Sequence, residues 1–181
     1  MKGTGIVRKV DELGRLVIPK EIRKTLRVKE GDPIEIFVEK NGDIVLRRYS
    51  PMGDLSVIAS QYSEILTKVT QFSVCITDNH SVIAINGGVK NDYLLKDISD
   101  NVIDIMSERA VWSSSLDGTC DIVKNDKVKD YFSQLIAPII CDGDVIGSVI
   151  LFSVDKTKKI TNVEYEVAQV TAGFLSKQME I

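Results

Sequence analysis

Histidine occurs once, at position 80, and cysteine three times, at 75, 120 and 141, in a chain of 181 residues. One imidazole and three widely spaced thiols with no C-x-x-C do not make a Cys/His zinc site. An odd, scattered set of cysteines points to reduced thiols rather than a disulfide framework. Long hydrophobic runs are missing too. A stretch such as Val145 to Phe152 is far short of the ~20 residues needed to cross a bilayer, and Gly147 and Ser148 interrupt it. Lys2 is followed by no apolar stretch, so no signal peptide is expected. Neither G-x-G-x-x-G nor a phosphate-loop pattern occurs, and Gly147-Ser148 does not form a G-x-S-x-G elbow. A Ser-His-Asp arrangement would have to recruit His80 from an apparent turn, so hydrolase chemistry is not expected.

What is present is an ordinary globular composition, 44% apolar and 27% charged, with an uneven distribution of charge. Residues 1–50 hold 12 Lys and Arg against 8 Asp and Glu, a net +4, whereas residues 51–181 hold 11 against 18, a net −7. One segment is suited to a polyanion and the other is not. The change falls at Ser50-Pro51-Met52-Gly53, which predicts a domain over 1–50, a linker at 51–54 and a second domain over 55–181.

In the first segment, residues 4–10 read as a short strand, Asp11 to Gly14 as a turn and Arg15 to Ile18 as a second strand. Pro19 suits a first helical position and Glu21 the positive end of a helix, predicting a short helix over 19–26 with Ile22 and Leu26 on one face. Gly31-Asp32-Pro33 closes it. A hairpin follows, with Ile34, Ile36 and Val38 alternating with Glu35, Phe37 and Glu39, Asn41-Gly42 as the turn, and Ile44 to Leu46 returning. One face of it is expected to be buried. Fifty residues with so few large apolar side chains sit near the lower limit for a self-sufficient core, so pairing of chains is the physical expectation.

The G-x-V-R spacing at Gly5, Val7 and Arg8, the turn from Asp11 to Arg15, and V-I-P-x-E-x-R from Val17 to Arg23 resemble the N-terminal DNA-binding domain of AbrB-like regulators. The resemblance implies a swapped-hairpin, β-barrel-like dimer built by two chains. Arginine serves both phosphate neutralisation and base reading, because its planar guanidinium is always charged and bidentate. Arg8, Arg15 and Arg23 are therefore the primary candidates, and they match the family's DNA-contacting arginines. Lys9 and Lys24 lack the guanidinium fork and suit phosphate contact. Arg47 and Arg48 read as solvated or purely electrostatic.

In the second segment Leu55, Ile58, Tyr62, Ile65 and Val69 predict an amphipathic helix ending near Thr70 with Asp54 as its N-cap. Val163, Val167, Val170 and Phe174 predict a closing helix over roughly 161–180. Between them, 72–77, 82–85, 119–123, 132–140 and 145–153 read as strands, with a turn at Cys141 to Asp144 and a helix over 97–110. This order resembles a GAF domain, as does the P-I-x-x-x-G-x-x-I-G-x-V run from Pro138 to Val149. The implied class is α+β: an AbrB-like swapped-hairpin β-barrel dimer followed by a GAF-like α/β sandwich with flanking helices. The pairing of these halves resembles sporulation regulators of endospore-forming bacteria.

The leading expectation is a cytoplasmic, nucleoid-associated transcription regulator, activator and repressor, whose partners are double-stranded DNA and further copies of itself. The resemblance implies a tetramer. No cofactor, metal or membrane partner is expected. Trp112, beside Ser113 to Ser115, is weighed as the mouth of a small-molecule site and reads better as a packing residue. The ligand class is unassigned. Two alternatives remain: an antitoxin, because AbrB-like domains occur in toxin-neutralising proteins, and a thiol-dependent GAF-fold reductase using Cys75, Cys120 or Cys141.

Overall fold

A computed structural model of the chain describes residues 5–26, 28, 30–49, 55–88, 90–114, 118–128 and 130–179. The chain divides into two compact units, Met1–Tyr49 and Ser50–Ile181.

In the first unit the segments 5–10 and 15–18 form no strand ladder, contrary to the two strands expected there. Their backbones meet at the turn, where Asp11 N donates to the carbonyl of Arg15 (3.0 Å) and Gly14 N to that of Asp11 (3.0 Å). Beyond it they associate through side chains, Ile6, Leu16, Ile18, Ile22 and Leu46 sharing one cavity of about 250 Å³. Helix α1, Lys20–Leu26, follows. The Pro19 carbonyl accepts from Arg23 N (2.9 Å), so proline is the cap of this helix rather than its first residue. Glu21 lies in its first turn and Arg23 and Lys24 in its last, the arrangement the helix dipole favours.

Strands β1 (Ile34–Val38) and β2 (Ile44–Arg48) pair antiparallel, Ile36 opposite Leu46. Gly42, at φ 85°, closes the turn by donating to the Glu39 carbonyl (2.9 Å). The expected buried face is not buried within one chain. Ile36 and Val38 are exposed, Ile34, Val45 and Leu46 are half-buried, and so is Phe37, with the Arg47 guanidinium 4.9 Å from its ring centroid. The cause lies in the unit's size: its few elements do not reach across the hairpin's apolar side.

The second unit is a five-stranded antiparallel sheet of order β4-β3-β7-β6-β5. Its strands are β3 (Ser73–Asp78), β4 (Val82–Asn86), β5 (Trp112–Ser113), β6 (Ser133–Cys141) and β7 (Asp144–Ser153). Alternation along the strands gives each face its own core. Val74, Ile76, Leu135, Ala137, Val149 and Leu151 pack with helices α2 (Ser56–Thr70) and α5 (Asn162–Lys177). On the other face Cys75, Ile136, Ile150 and Phe152 pack under α3 (Lys90–Tyr93), α4 (Asp100–Ser107) and the residues Ile122, Val123 and Tyr131. Asp142 and Gly143, at φ 49° and 86°, form the β6–β7 turn. At Gly147 a Cβ would lie 2.1 Å from the Thr77 carbonyl oxygen, so only glycine fits where β7 crosses β3.

The expected strand at 119–123 is absent, and the fifth strand is the edge pair Trp112–Ser113. The Gln134 side chain explains the difference. Its Oε1 accepts from Cys120 N (2.8 Å) and its Nε2 donates to the Cys120 carbonyl (2.7 Å), so an amide side chain stands where a neighbouring strand would. Helix α4 is shorter than the 97–110 expected, starting after the Ser99 cap, whose Oγ accepts from Val102 N (3.2 Å). Helix α5 begins with a capping box between Thr161 and Glu164. Helix α2 starts after Leu55, which makes no side-chain cap bond. The expected Asp54 cap and the 51–54 linker lie outside the described residues.

Candidate nucleic-acid interface

The first turn is built around one carboxylate. Asp11 Oδ1 accepts from Leu13 N (3.0 Å) and Arg15 N (2.8 Å), and Oδ2 accepts from Arg15 Nε (2.8 Å). Gly14, at φ 75°, supplies the left-handed residue that lets the chain reverse. The Arg15 N–H and, after it, the guanidinium hold the Asp11 carboxyl below the usual carboxylate range. Asp11 engages Arg15 through Nε, and the Arg15 side chain stays largely exposed. A guanidinium held through its inner nitrogen still has N–H donors on its terminal nitrogens to offer a further acceptor.

The other cations are exposed as well. Arg8 borders the cavity it shares with Leu16, Pro19 and Ile22, so it sits beside the start of α1, with Nη1 donating to the Val7 carbonyl (3.2 Å). Lys9 follows it. Arg23 and Lys24 ride on the last turn of α1. Arg47 lies over Phe37, and the Arg48 side chain lies outside the described residues. Between the cations stand apolar side chains that one chain leaves in solvent: Val7, Leu13, Val17 and Val38 are 84, 74, 74 and 74% exposed. Sequence reading singled out the cations but treated Asp11 only as part of a turn. The D-x-L-G-R spacing was its available signal, since an aspartate commonly bonds the backbone two residues on.

In the second unit Trp112 is half-buried against the core beneath α4, as a packing residue. That side of the sheet is filled by Tyr93, Ile98, Val102, Ile122 and Tyr131. Its polar centre is Asp126, which sequence reading missed. Oδ1 accepts from Tyr93 OH (2.5 Å) and Val128 N (3.0 Å), and Oδ2 from Tyr131 OH (2.6 Å) and Ile122 N (2.9 Å), which brings the two tyrosine oxygens into close contact. Its partners lie up to 33 residues away, a spacing without any local pattern.

The thiols are poorly placed for nucleophilic work. Cys75 is fully buried, and burial, with the Asp126 charge, pushes its pKa up. Cys120 is pushed up to about 11, by burial first and then by Asp121 and Asp126. Cys141 is buried. Among the described residues no group of three or more His, Cys, Asp or Glu could hold a metal, and no helix is long and apolar enough to cross a membrane.

Comparison with known proteins accounts for both units. Residues 54–180 match the family described as stage V sporulation protein T C-terminal, transcription factor. The chain is 44% identical over 182 residues to stage V sporulation protein T of Bacillus subtilis (strain 168), covering 99% of each. The chain belongs to the stage V sporulation protein T family of transcription factors. Residues 7–54 also match a family described as antidote-toxin recognition MazE, bacterial antitoxin. The chain is 59% identical over 51 residues to the transition state regulatory protein AbrB of B. subtilis (strain 168), covering 28% of this chain and 52% of AbrB. The GAF domain of a phosphoenolpyruvate-protein phosphotransferase from Coxiella burnetii superposes with a TM-score of 0.56 at 12% identity, covering 69% of this chain and 82% of that one. A type II free methionine-R-sulfoxide reductase from Thermoplasma acidophilum superposes at 0.54 with 9% identity, covering 71% and 94%. At such identities the likeness is one of fold. For this family member the expected mixed α and β architecture holds, with an AbrB-type first unit and a GAF-type second.

Proposed function

We propose that the protein is a DNA-binding regulator of sporulation-type gene expression, acting as activator and repressor in the cytoplasm on the nucleoid. Two first units join to form the reader. The observation that carries this is the interleaving of strongly exposed apolar residues (Val7, Leu13, Val17, Val38) with the exposed cations Arg8, Lys9, Arg15, Arg23 and Lys24. An apolar face of that size on so small a unit calls for a second copy, and burying it leaves the cations outward. A duplex then supplies the polyanion that the +4 segment suits.

The second unit holds pairs of readers together. Val57, Ile65 and Val69 of α2 and Val163 and Val170 of α5 are exposed on helices already packed against each other through Tyr62 and Phe174. Association of these helices makes a tetramer whose two readers share one duplex at raised effective concentration. In this reading the unit has no thiol catalysis, which the burial of Cys75 and Cys141 and the raised pKa of Cys120 support.

The match of residues 7–54 to an antitoxin family favours a second reading, toxin neutralisation. The two separate cleanly. Fluorescence anisotropy of the full chain on duplex DNA at rising salt gives a steep negative slope of log K against log salt for a reader. Flat, weak binding at all salt concentrations, together with rescue of cells from a co-expressed toxin, would replace the first reading with the second.

A further inference from the structure

A cleft of about 470 Å³ opens on the helix-covered side of the sheet, between α5 and the Arg109–Val111 segment that leads into β5. Its volume lies within the ~300–1,000 Å³ of small-molecule sites. Ala137, Pro138 and Ile140 of β6 form an apolar floor, and Arg109 and Lys177 are the charged groups on its walls. No carboxylate lines it among the described residues. Residues 51–181 carry a net −7, so two cations with no carboxylate among the described lining residues stand out against that segment.

Two residues of this cleft break the local rules of their own elements. Arg109 follows the C-cap of α4 at φ 57°, its N donating to the Met106 carbonyl (3.1 Å). That left-handed position ordinarily belongs to glycine, and a residue with a Cβ is strained there. Gly173 stands inside α5, where alanine would be the better helix former, although a Cβ at that position would meet nothing within 4 Å. Packing within the chain thus requires neither the arginine nor the glycine, yet both line one cleft. Tyr165 and Gln169 add a hydroxyl and an amide on the α5 side.

We propose that this cleft binds a small organic acid with a compact apolar body. Its carboxylate is met by Arg109 and Lys177 and its body rests on Ala137, Pro138 and Ile140, with Gly173 leaving the room it needs. Such a ligand would bridge the end of α4 and the helix α5, and any bias it gave to association of α5 would reach the DNA-binding units. Only that consequence, not the binding itself, rests on the regulatory reading above.

The test is ligand-observed saturation-transfer NMR on the full chain, with benzoate as probe and benzamide as its neutral isostere. Benzoate is expected to bind saturably and benzamide about tenfold more weakly, because the charge-assisted bonds are lost. Arg109→Gly abolishes benzoate binding while raising the thermal midpoint, since glycine adopts the left-handed backbone without strain. Gly173→Leu blocks binding by filling the cleft, and Arg109→Gln provides the same comparison should that variant not fold. Absence of saturable benzoate binding, equal binding of benzamide, or undiminished binding by the Arg109 variants overturns the proposal. Failure of the wild-type chain to bind duplex DNA would instead overturn the regulatory reading and leave the benzoate result standing.

Discussion

The Asp11 carboxylate holds Arg15 by two groups at once, its backbone N–H and its side-chain Nε, each at 2.8 Å. This joins the shape of the first turn to the aim of a guanidinium. Asp11→Asn retains an amide oxygen for the Leu13 and Arg15 N–H groups but discards the charge that fixes Nε. The expected result is tighter non-specific DNA binding, because one negative charge leaves the surface, with poorer discrimination between sites, because Arg15 is less constrained. Competition titrations of specific against random duplex measure both, and an unchanged specificity ratio would show that Asp11 merely closes the turn.

Arg15→Ala combined with Arg23→Ala removes one cation from the turn and one from the last turn of α1. For interactions worth ~1–3 kcal/mol each, affinity for duplex DNA falls by about thirtyfold or more, and the salt slope shrinks by about one for each phosphate no longer neutralised. Circular dichroism must show the variant folded. Full affinity at physiological salt in that folded variant would remove both residues from the interface.

Tyr62 and Phe174 stack with centroids 4.6 Å apart, and this pair ties α2 to α5 beneath their exposed valines and Ile65. Ile65→Glu with Val170→Glu places like charges on the outward faces without touching the stack. Light scattering is expected to report dimers in place of tetramers, and affinity for duplexes carrying two sites drops toward that for a single site. Tetramers persisting in this variant would assign association to another surface.

Much of this was legible in the sequence for physical reasons that can be named. The period of α2 and α5, the Asn41-Gly42 and Asp142-Gly143 turns, and the short apolar runs of β6 and β7 are local signals, and the elements formed close to where they pointed. The segment 119–123 has strand-like composition, but its hydrogen bonds go to scattered partners, Cys120 to the Gln134 side chain, Ile122 N to Asp126 and the Ile122 carbonyl to Ser99 N, which no local pattern reveals. The hairpin of the first unit shows the converse. Its alternation is real, yet Ile36 and Val38 stay exposed because the pattern describes an environment larger than one chain provides. Asp126 was invisible because Tyr93, Ile122, Val128 and Tyr131 become its neighbours only through tertiary packing.

Cys120 yields a chemical prediction. With its pKa pushed up to about 11, roughly one molecule in ten thousand carries the thiolate at pH 7. Alkylation by iodoacetamide is therefore slow at neutral pH and rises about tenfold per pH unit through about pH 10, and Cys120→Ser leaves DNA affinity unchanged. Rapid modification at neutral pH accompanied by methionine sulfoxide turnover would revive the reductase alternative.

Asp126 is expected to contribute to the acid stability of the second unit. Burial by itself would raise its carboxyl pKa, but the hydroxyls of Tyr131 and Tyr93 and the N–H groups of Ile122 and Val128 outweigh that effect and hold it below the ordinary value. A carboxyl depressed by folding stabilises the native state above its unfolded pKa of ~3.9, and that contribution disappears as pH falls through the lower, folded value. Wild-type protein should hold its thermal midpoint from neutral pH to about pH 4 and lose it steadily below. In Asp126→Ala, two tyrosine hydroxyls and two backbone N–H groups lose their acceptor, a loss of about 3–5 kcal/mol for removing one member of a buried charged network. The same variant loses Asp126's share of the acid dependence. Calorimetric midpoints for both proteins across this range check the prediction, and parallel pH profiles would show that another carboxylate sets the acid limit.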